Sequence, residues 1–335
     1  MRKVLLFIAI IGIVILTACG SNDASGTEES NGDSSSDAGQ TYTVGATQIV
    51  EHPSLDEAYK GFQDALADAG LDVEYDYKSA QNDQNNVKPI SDGFVADNVD
   101  LIFANSTPSA LGALQATSDI PIVFTSVTDA VDAGLVPSMD EPGENITGVV
   151  DLHPEAIQET VAFIDAHFPD ASVGMVYNAG EQNSVTQVEA VKAAAEDTGL
   201  SIVERTVANS AEVQQAATTL VSEVDVFYII TDNTVVSALD SVVGAANDQD
   251  IPLIVGEPDS LAKGGFATFG IDYHTIGYRT GEMAAQILTG EKSPSDFPVE
   301  YPPEIQLFIN KQAAEEQSVE WNAEWDDAAQ FVETE

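Results

Sequence analysis

The chain has 335 residues, with 11 Lys plus Arg against 56 Asp plus Glu and a net charge of −45. Such a polyanion is repelled by nucleic acid and by anionic lipid headgroups, which excludes both as charge-driven partners and argues against a polyanionic ligand. Its length suits two domains of ordinary size, its 44% hydrophobic content suffices for real cores, and one cysteine excludes an internal disulfide.

Arg2 and Lys3 precede an uninterrupted apolar run from Val4 to Leu16. The run is shorter than the ~20 residues of a spanning helix, so 1–18 reads as a secretory signal. The segment Leu16-Thr17-Ala18-Cys19-Gly20 resembles a bacterial lipobox. That resemblance implies cleavage before Cys19 and lipidation of its thiol; an ordinary secreted protein with an incidental cysteine is the alternative. After Cys19, residues 20–41 are mostly Ser, Gly, Asp, Glu and Asn with little apolar content, so 19–41 reads as the lipidated cysteine and a flexible tether rather than a core. Acids are spread along the remaining body, which predicts a solvated acidic surface suited to high salt.

From Tyr42 onward the pattern alternates. A strand at 42–49 precedes a helix at 54–69, with Ser54 and Glu57 placed as a capping box and Gly70 as its stop. A strand at 71–77, a helix at 84–96, a strand at 101–104, a helix at 108–117 and a strand at 122–124 follow. The second half repeats the scheme: helix 185–198, strand 200–206, helix 211–222, strand 226–230, helix 234–247, strand 253–255. The echo reaches individual residues. Ala69-Gly70-Leu71-Asp72-Val73 parallels Thr198-Gly199-Leu200-Ser201-Ile202, and Asp119-Ile120-Pro121-Ile122-Val123 parallels Asp250-Ile251-Pro252-Leu253-Ile254. The chain is therefore an α/β protein of two similar doubly wound parallel-sheet domains joined by a hinge. Two sets of strand C-terminal ends facing each other define a cleft.

An ordered set of segments is similar to the ABC-transporter substrate-binding family that includes tryptophan/tyrosine-type binding lipoproteins. It comprises Gln48-Ile49-Val50-Glu51-His52-Pro53, Thr107-Pro108-Ser109-Ala110, Phe124-Thr125-Ser126-Val127-Thr128-Asp129, Asn145-Ile146-Thr147-Gly148-Val149, Tyr177-Asn178, Asn183-Ser184, Thr231-Asp232-Asn233-Thr234 and Phe269-Gly270-Ile271-Asp272-Tyr273. The likeness spans residues 42–314. It implies a type I periplasmic-binding-protein fold whose N-terminal lobe takes 42–150 and 272–298 and whose C-terminal lobe takes 151–271 and 299–325, with 326–335 left as an acidic tail. It also implies a lipid-anchored, extracytoplasmic protein that hands a small solute, a free amino acid with aromatic ones among the candidates, to a membrane permease. A sensor feeding a membrane signalling partner and a sugar- or nucleoside-binding protein of the same fold are the alternatives.

Several of these residues carry a physical argument of their own. Thr107 and Pro108 suit the start of a helix, whose free N–H groups favour an anion such as a carboxylate. The hydroxyls of Ser109, Thr125 and Ser126 fall on the same edge, and Asn183 and Ser184 open a helix of the other domain. Asp232 follows a strand directly, where it either takes a substrate ammonium or caps the next helix; Asn233 adjoins it, and Asp272 is the corresponding residue after the Phe269–Ile271 strand. Gln48 enters the ligand set through the family segment alone, while His52, Phe124, Tyr177 and Tyr273 are candidate walls for an aromatic ligand. His52, His153, His167 and His274 are scattered, without metal-ligand spacing, and neither a Gly-x-Ser-x-Gly elbow nor a phosphate-binding glycine loop is present. The expectation is a binding protein with no cofactor and no metal, not an enzyme.

Overall fold

The computed structural model describes residues 40–334, so the signal, Cys19 and nearly all of the tether lie outside the described residues. The first lobe takes β1 (Thr41–Gln48), α1 (Pro53–Asp68), β2 (Asp72–Ser79), α2 (Gln84–Asp97), β3 (Leu101–Asn105), α3 (Thr107–Ala116), β4 (Ile122–Val127) and β5 (Ile146–Val150). The chain then builds the second lobe from α4 (Ala156–His167), β6 (Ser172–Asn178), α5 (Gln182–Ala195), β7 (Ser201–Val207), α6 (Val213–Leu220), β8 (Val226–Ile229), α7 (Asn233–Val236), α8 (Leu239–Asp248), β9 (Leu253–Val255), α9 (Asp259–Ala262) and β10 (Ala267–Gly270). It returns to the first lobe as α10 (Tyr273–Leu288) and ends in the second with β11 (Gln306–Ile309), α11 (Lys311–Glu316), α12 (Trp325–Ala328) and β12 (Ala329–Phe331).

The sheet orders explain the internal echo. The first sheet runs β2-β1-β3-β4-β5, all parallel, and the second contains β7-β6-β8-β9-β10 in the same relative order. In both lobes the winding reverses beside the first strand, between β1 and β3 and between β6 and β8. Open parallel sheets bind ligands at such switch points, outside the strand C-termini. The second sheet gains two further strands: β11 pairs antiparallel with β10, and β12 parallel with β11. Strand interiors are apolar because both faces are covered: Leu101, Ile102, Phe103 and Ala104 are all buried.

On one face of the first sheet Phe62 of α1 stacks on Phe103 with centroids 4.0 Å apart. Here α1 also meets α10 at glycine-to-backbone distance. A Cβ on Gly277 would lie 1.9 Å from the Ala58 carbonyl oxygen, and one on Gly61 would lie 2.1 Å from that of His274. Only residues without a side chain permit this approach.

Several local expectations are corrected. Helix α1 starts one residue early, with His52 at the N-cap and Pro53 in the first turn; Ser54 is buried inside the helix and makes no capping box. The helix α3 is capped by Ser106, not Thr107. The helix expected at 234–247 is two helices, broken where the Ser237 hydroxyl donates to the Thr234 carbonyl at 2.8 Å and competes with the helical ladder. Residues 299–300 stay with the first lobe, where Val150 N–H donates to the Glu300 carbonyl at 2.9 Å. The described part of the supposed acidic tail is not a tail: Ala329–Phe331 is an edge strand beside β11. Just before it, Trp325 is buried against Phe163 and Phe266. Apolar anchors among the acids fix this segment.

Candidate functional site

The lobes meet over their strand C-termini. Gln187 of α5 donates to the Thr128 hydroxyl at 3.1 Å, Thr186 to the Asp132 carboxylate at 2.6 Å, and Gln84 of α2 to the Gly180 carbonyl at 2.8 Å. Between them lies a cavity lined on one side by His52, Leu55, Ser126, Thr128, Asp151 and Tyr273, and on the other by Asn183, Thr231, Asn233, Val236 and Glu257. Its free volume is about 10 Å³. That is room for about one water, so a larger guest enters only when the lobes part.

The wall of the first lobe is a hydrogen-bonded chain across its switch point. Ser126 donates to Asn105 Oδ1 at 2.7 Å; Asn105 Nδ2 donates to Gln48 Oε1 at 3.1 Å and to the Leu55 carbonyl at 2.7 Å. Gln48 in turn donates to Asp56 at 2.9 Å. Ser106 and Ser126 hold φ of 140° and 56°. Non-glycine residues in those regions are strained and concentrate at binding sites. Ser109 accepts from the Ser106 hydroxyl at 3.0 Å, while the hydroxyls of Thr107 and Thr125 are buried without a partner.

The matching wall of the second lobe is acidic. Asp232 bridges its switch point, accepting from Asn178 N–H at 2.6 Å, the Ser184 hydroxyl at 2.7 Å and Val235 N–H at 2.8 Å. Glu181 accepts from the Thr234 hydroxyl at 2.7 Å and Asn233 Nδ2 at 2.6 Å. Burial, reinforced by the Glu181 charge, raises the Asp232 carboxyl above the usual carboxylate range. Both oxygens of Asp232 are thus committed to capping α7 and joining β6 to β8. Of the two roles open to Asp232 these contacts serve the helix cap, and Asp232 is not among the residues that line the cavity. Asp272 is no substitute: it is exposed and caps α10, accepting from Thr275 N–H at 2.9 Å.

Of the other expected residues, His52, Ser126, Asn183 and Asn233 line the cavity; Gln48, Ser109, Thr125 and Ser184 are buried and do not line it, and Thr107 is buried beside a separate pocket between α2 and α3. Burial holds the His52 imidazole down at about 4, so the ring is neutral at ordinary pH. Tyr273 lines the cavity and donates to Asp151 at 2.9 Å. Phe124 packs inside the first lobe's core, and Tyr177 faces away from the cleft, donating to Glu204 at 2.9 Å. Two cavity carboxylates escape the sequence reading: Asp151, directly after β5, and Glu257, two residues after β9. Both follow parallel strands at their C-terminal ends, the edge where such sheets bind.

Two α/β lobes, crossed by the chain at 150–156, 270–273 and 300–306 and closing over a polar cavity, define a cleft-type solute-binding protein. Comparison with known sequences agrees, and the chain belongs to the ABC transporter substrate binding protein family, whose profile matches residues 43–332. It is the substrate-binding component of an ABC transporter, of an extracytoplasmic family, and among the described residues no helix is long and apolar enough to cross a membrane. It is 41% identical over 312 residues to the tyrosine-binding protein of Clostridioides difficile strain R20291, covering 92% of this chain and 89% of that protein. The structure of an ABC domain in complex with L-Trp from Streptococcus pneumonia aligns at a TM-score of 0.82 with 35% identity, over 88% of this chain and 100% of that one. A ligand-free, open substrate binding protein with adhesive properties from Clostridium difficile, 38% identical over the same shares, aligns at only 0.64.

Proposed function

We propose that this protein captures a free amino acid, with an aromatic side chain preferred, in the inter-lobe cavity and delivers it to an ABC importer from the outer face of the membrane. The observation that carries the reading is the set of cavity-lining polar atoms, from both lobes, that are buried without partners: His52 Nδ1, Asp151 Oδ1, Asn183 Oδ1 and Glu257 Oε2. Buried polar groups are seldom left unpaired, and those that are call for a polar ligand. The relatives that bind tyrosine and tryptophan support the amino-acid class. The buried, unpartnered hydroxyl of Thr125, next in the chain to cavity-lining Ser126, suits the ligand carboxylate. His52, Leu55, Val236 and Tyr273 are placed to wall the side chain. Calorimetric titration with the twenty amino acids tests this. Tyrosine or tryptophan is expected to bind, and a protein that takes a sugar but no amino acid refutes it.

Anchoring through Cys19 belongs to the same proposal and rests on the Leu16–Gly20 segment. Cys19→Ser is expected to release the protein to the medium or leave it unprocessed, read by fractionation. An unchanged membrane fraction rules the anchor out.

A further inference from the structure

We propose that Asp151 and Glu257, one from each side of the cleft, form the subsite for a primary ammonium group, with the Asn183 carbonyl as third acceptor. This rests on the amino-acid reading above and names the group that the cavity selects.

Each carboxylate has one oxygen engaged and one free. Asp151 Oδ2 accepts from the Tyr273 hydroxyl at 2.9 Å, and Glu257 Oε1 accepts from the Ser260 hydroxyl. Asp151 Oδ1 and Glu257 Oε2 line the cavity, sealed from solvent and without a donor, as does Asn183 Oδ1. Glu257 is 1% exposed. No Lys or Arg lines the cavity. Three acceptors match the three donors of an R–NH₃⁺ group, and two of them carry its countercharge. An N-methylated ammonium has fewer donors and more bulk, so the site discriminates against it.

The titratable groups that face the pair are His52, Tyr273 and Asp259. His52 is neutral by burial, Tyr273 stays protonated, and burial raises Asp259 along with the pair. Burial lifts Asp151 to about 6 and Glu257 to about 8. In the free protein at pH 7 Glu257 therefore holds its proton; an arriving ammonium needs the carboxylate and drives that proton off.

The test is calorimetry on wild type, Asp151→Asn and Glu257→Gln with L-tyrosine, L-tryptophan, their N-methyl forms and tyramine, beside a thermal melt of each protein. Each titration is run at pH 7 in two buffers of different ionisation enthalpy. Each amide variant is expected to lose roughly 30-fold or more in affinity, the loss typical when one partner of a buried charge pair is removed. N-methylation is expected to weaken binding to wild type. Proton release on binding is expected in wild type and not in Glu257→Gln, a readout that a merely structural role would leave unmoved. Variants that melt normally and bind within threefold of wild type overturn the subsite, as does binding to wild type without proton release. If wild type binds no amino acid but binds tyramine, and the variants do not, the amino-acid reading falls and the ammonium site stands. If it binds neither, both fall.

Discussion

Gly277→Val is expected to abolish cooperative folding of the first lobe or to lower stability by about 4 kcal/mol or more, a size reserved for a few mechanisms such as core overpacking. A Cβ at this position overlaps the Ala58 carbonyl, 1.9 Å away, and that oxygen is backbone, so no rotamer change relieves it. The helices α1 and α10 must separate, and the stack of Phe62 on Phe103 beneath them loosens. The rim contacts His274–Asp64 at 2.9 Å and Tyr278–Asp68 at 3.0 Å stretch as well, though these are solvated and contribute little. Domains of this kind are stable by only about 5–15 kcal/mol, so the loss is a large share of the total. Gly244 in α8 is the control. A Cβ there meets nothing within 4 Å, and Gly244→Ala is expected to stabilise by about 0.4–1 kcal/mol. Urea unfolding followed by circular dichroism separates the two; a Gly277→Val midpoint close to wild type means that the helices do not pack this closely.

Ligand-free protein is expected to lose stability as pH rises from 6.5 to 8.5. Glu257 is the main source. Its carboxyl titrates near 4.3 in an unfolded chain and near 8 in the fold, raised by burial. The fold therefore binds more protons than the unfolded chain between those values. Its contribution is complete below pH 4 and is lost as pH climbs through 8, with a slope of about 1.4 kcal/mol per pH unit. Asp151, near 6, and Asp232, raised by burial and the Glu181 charge, have the same sign and add to the fall early in the window. His52 has the opposite sign. Its depressed value of about 4 costs stability as pH falls below its ordinary 6.5, which is why the window begins there. Molar salt screens the repulsion among the surface acids. Denaturant midpoints at pH 6.5 and 8.5 in high salt measure the fall, and Glu257→Gln is expected to flatten it. An unchanged slope in that variant assigns the proton elsewhere.

Fold and site were legible to different depths. Strand runs such as Leu101-Ile102-Phe103 and stop signals such as Gly70 mark the alternation directly, because local pattern and burial agree there. The division between lobes at Glu300 was not marked, since it depends on an edge bridge to Val149 from far along the chain. The site was half legible. Strand-to-helix turns pointed to His52, Ser126, Asn183 and Asn233, which face the cavity. They also pointed to Asp232, a residue type that serves a helix cap and a ligand cation equally well. Only the three donors around it separate the two roles. Asp151 and Glu257 sit where the chain leaves a strand without a capping motif, and local sequence carries no sign of the space they enclose.

The covering helix α10 has a consequence in time. A chain made from its N-terminus produces all five strands of the first sheet by residue 150, but the helix that closes over Phe62 and Ala65 begins at Tyr273. The face of α1 that carries Gly61 therefore stays bare while the whole central portion of the second lobe is synthesised. The first lobe cannot mature ahead of the second, as an ordinary leading domain does.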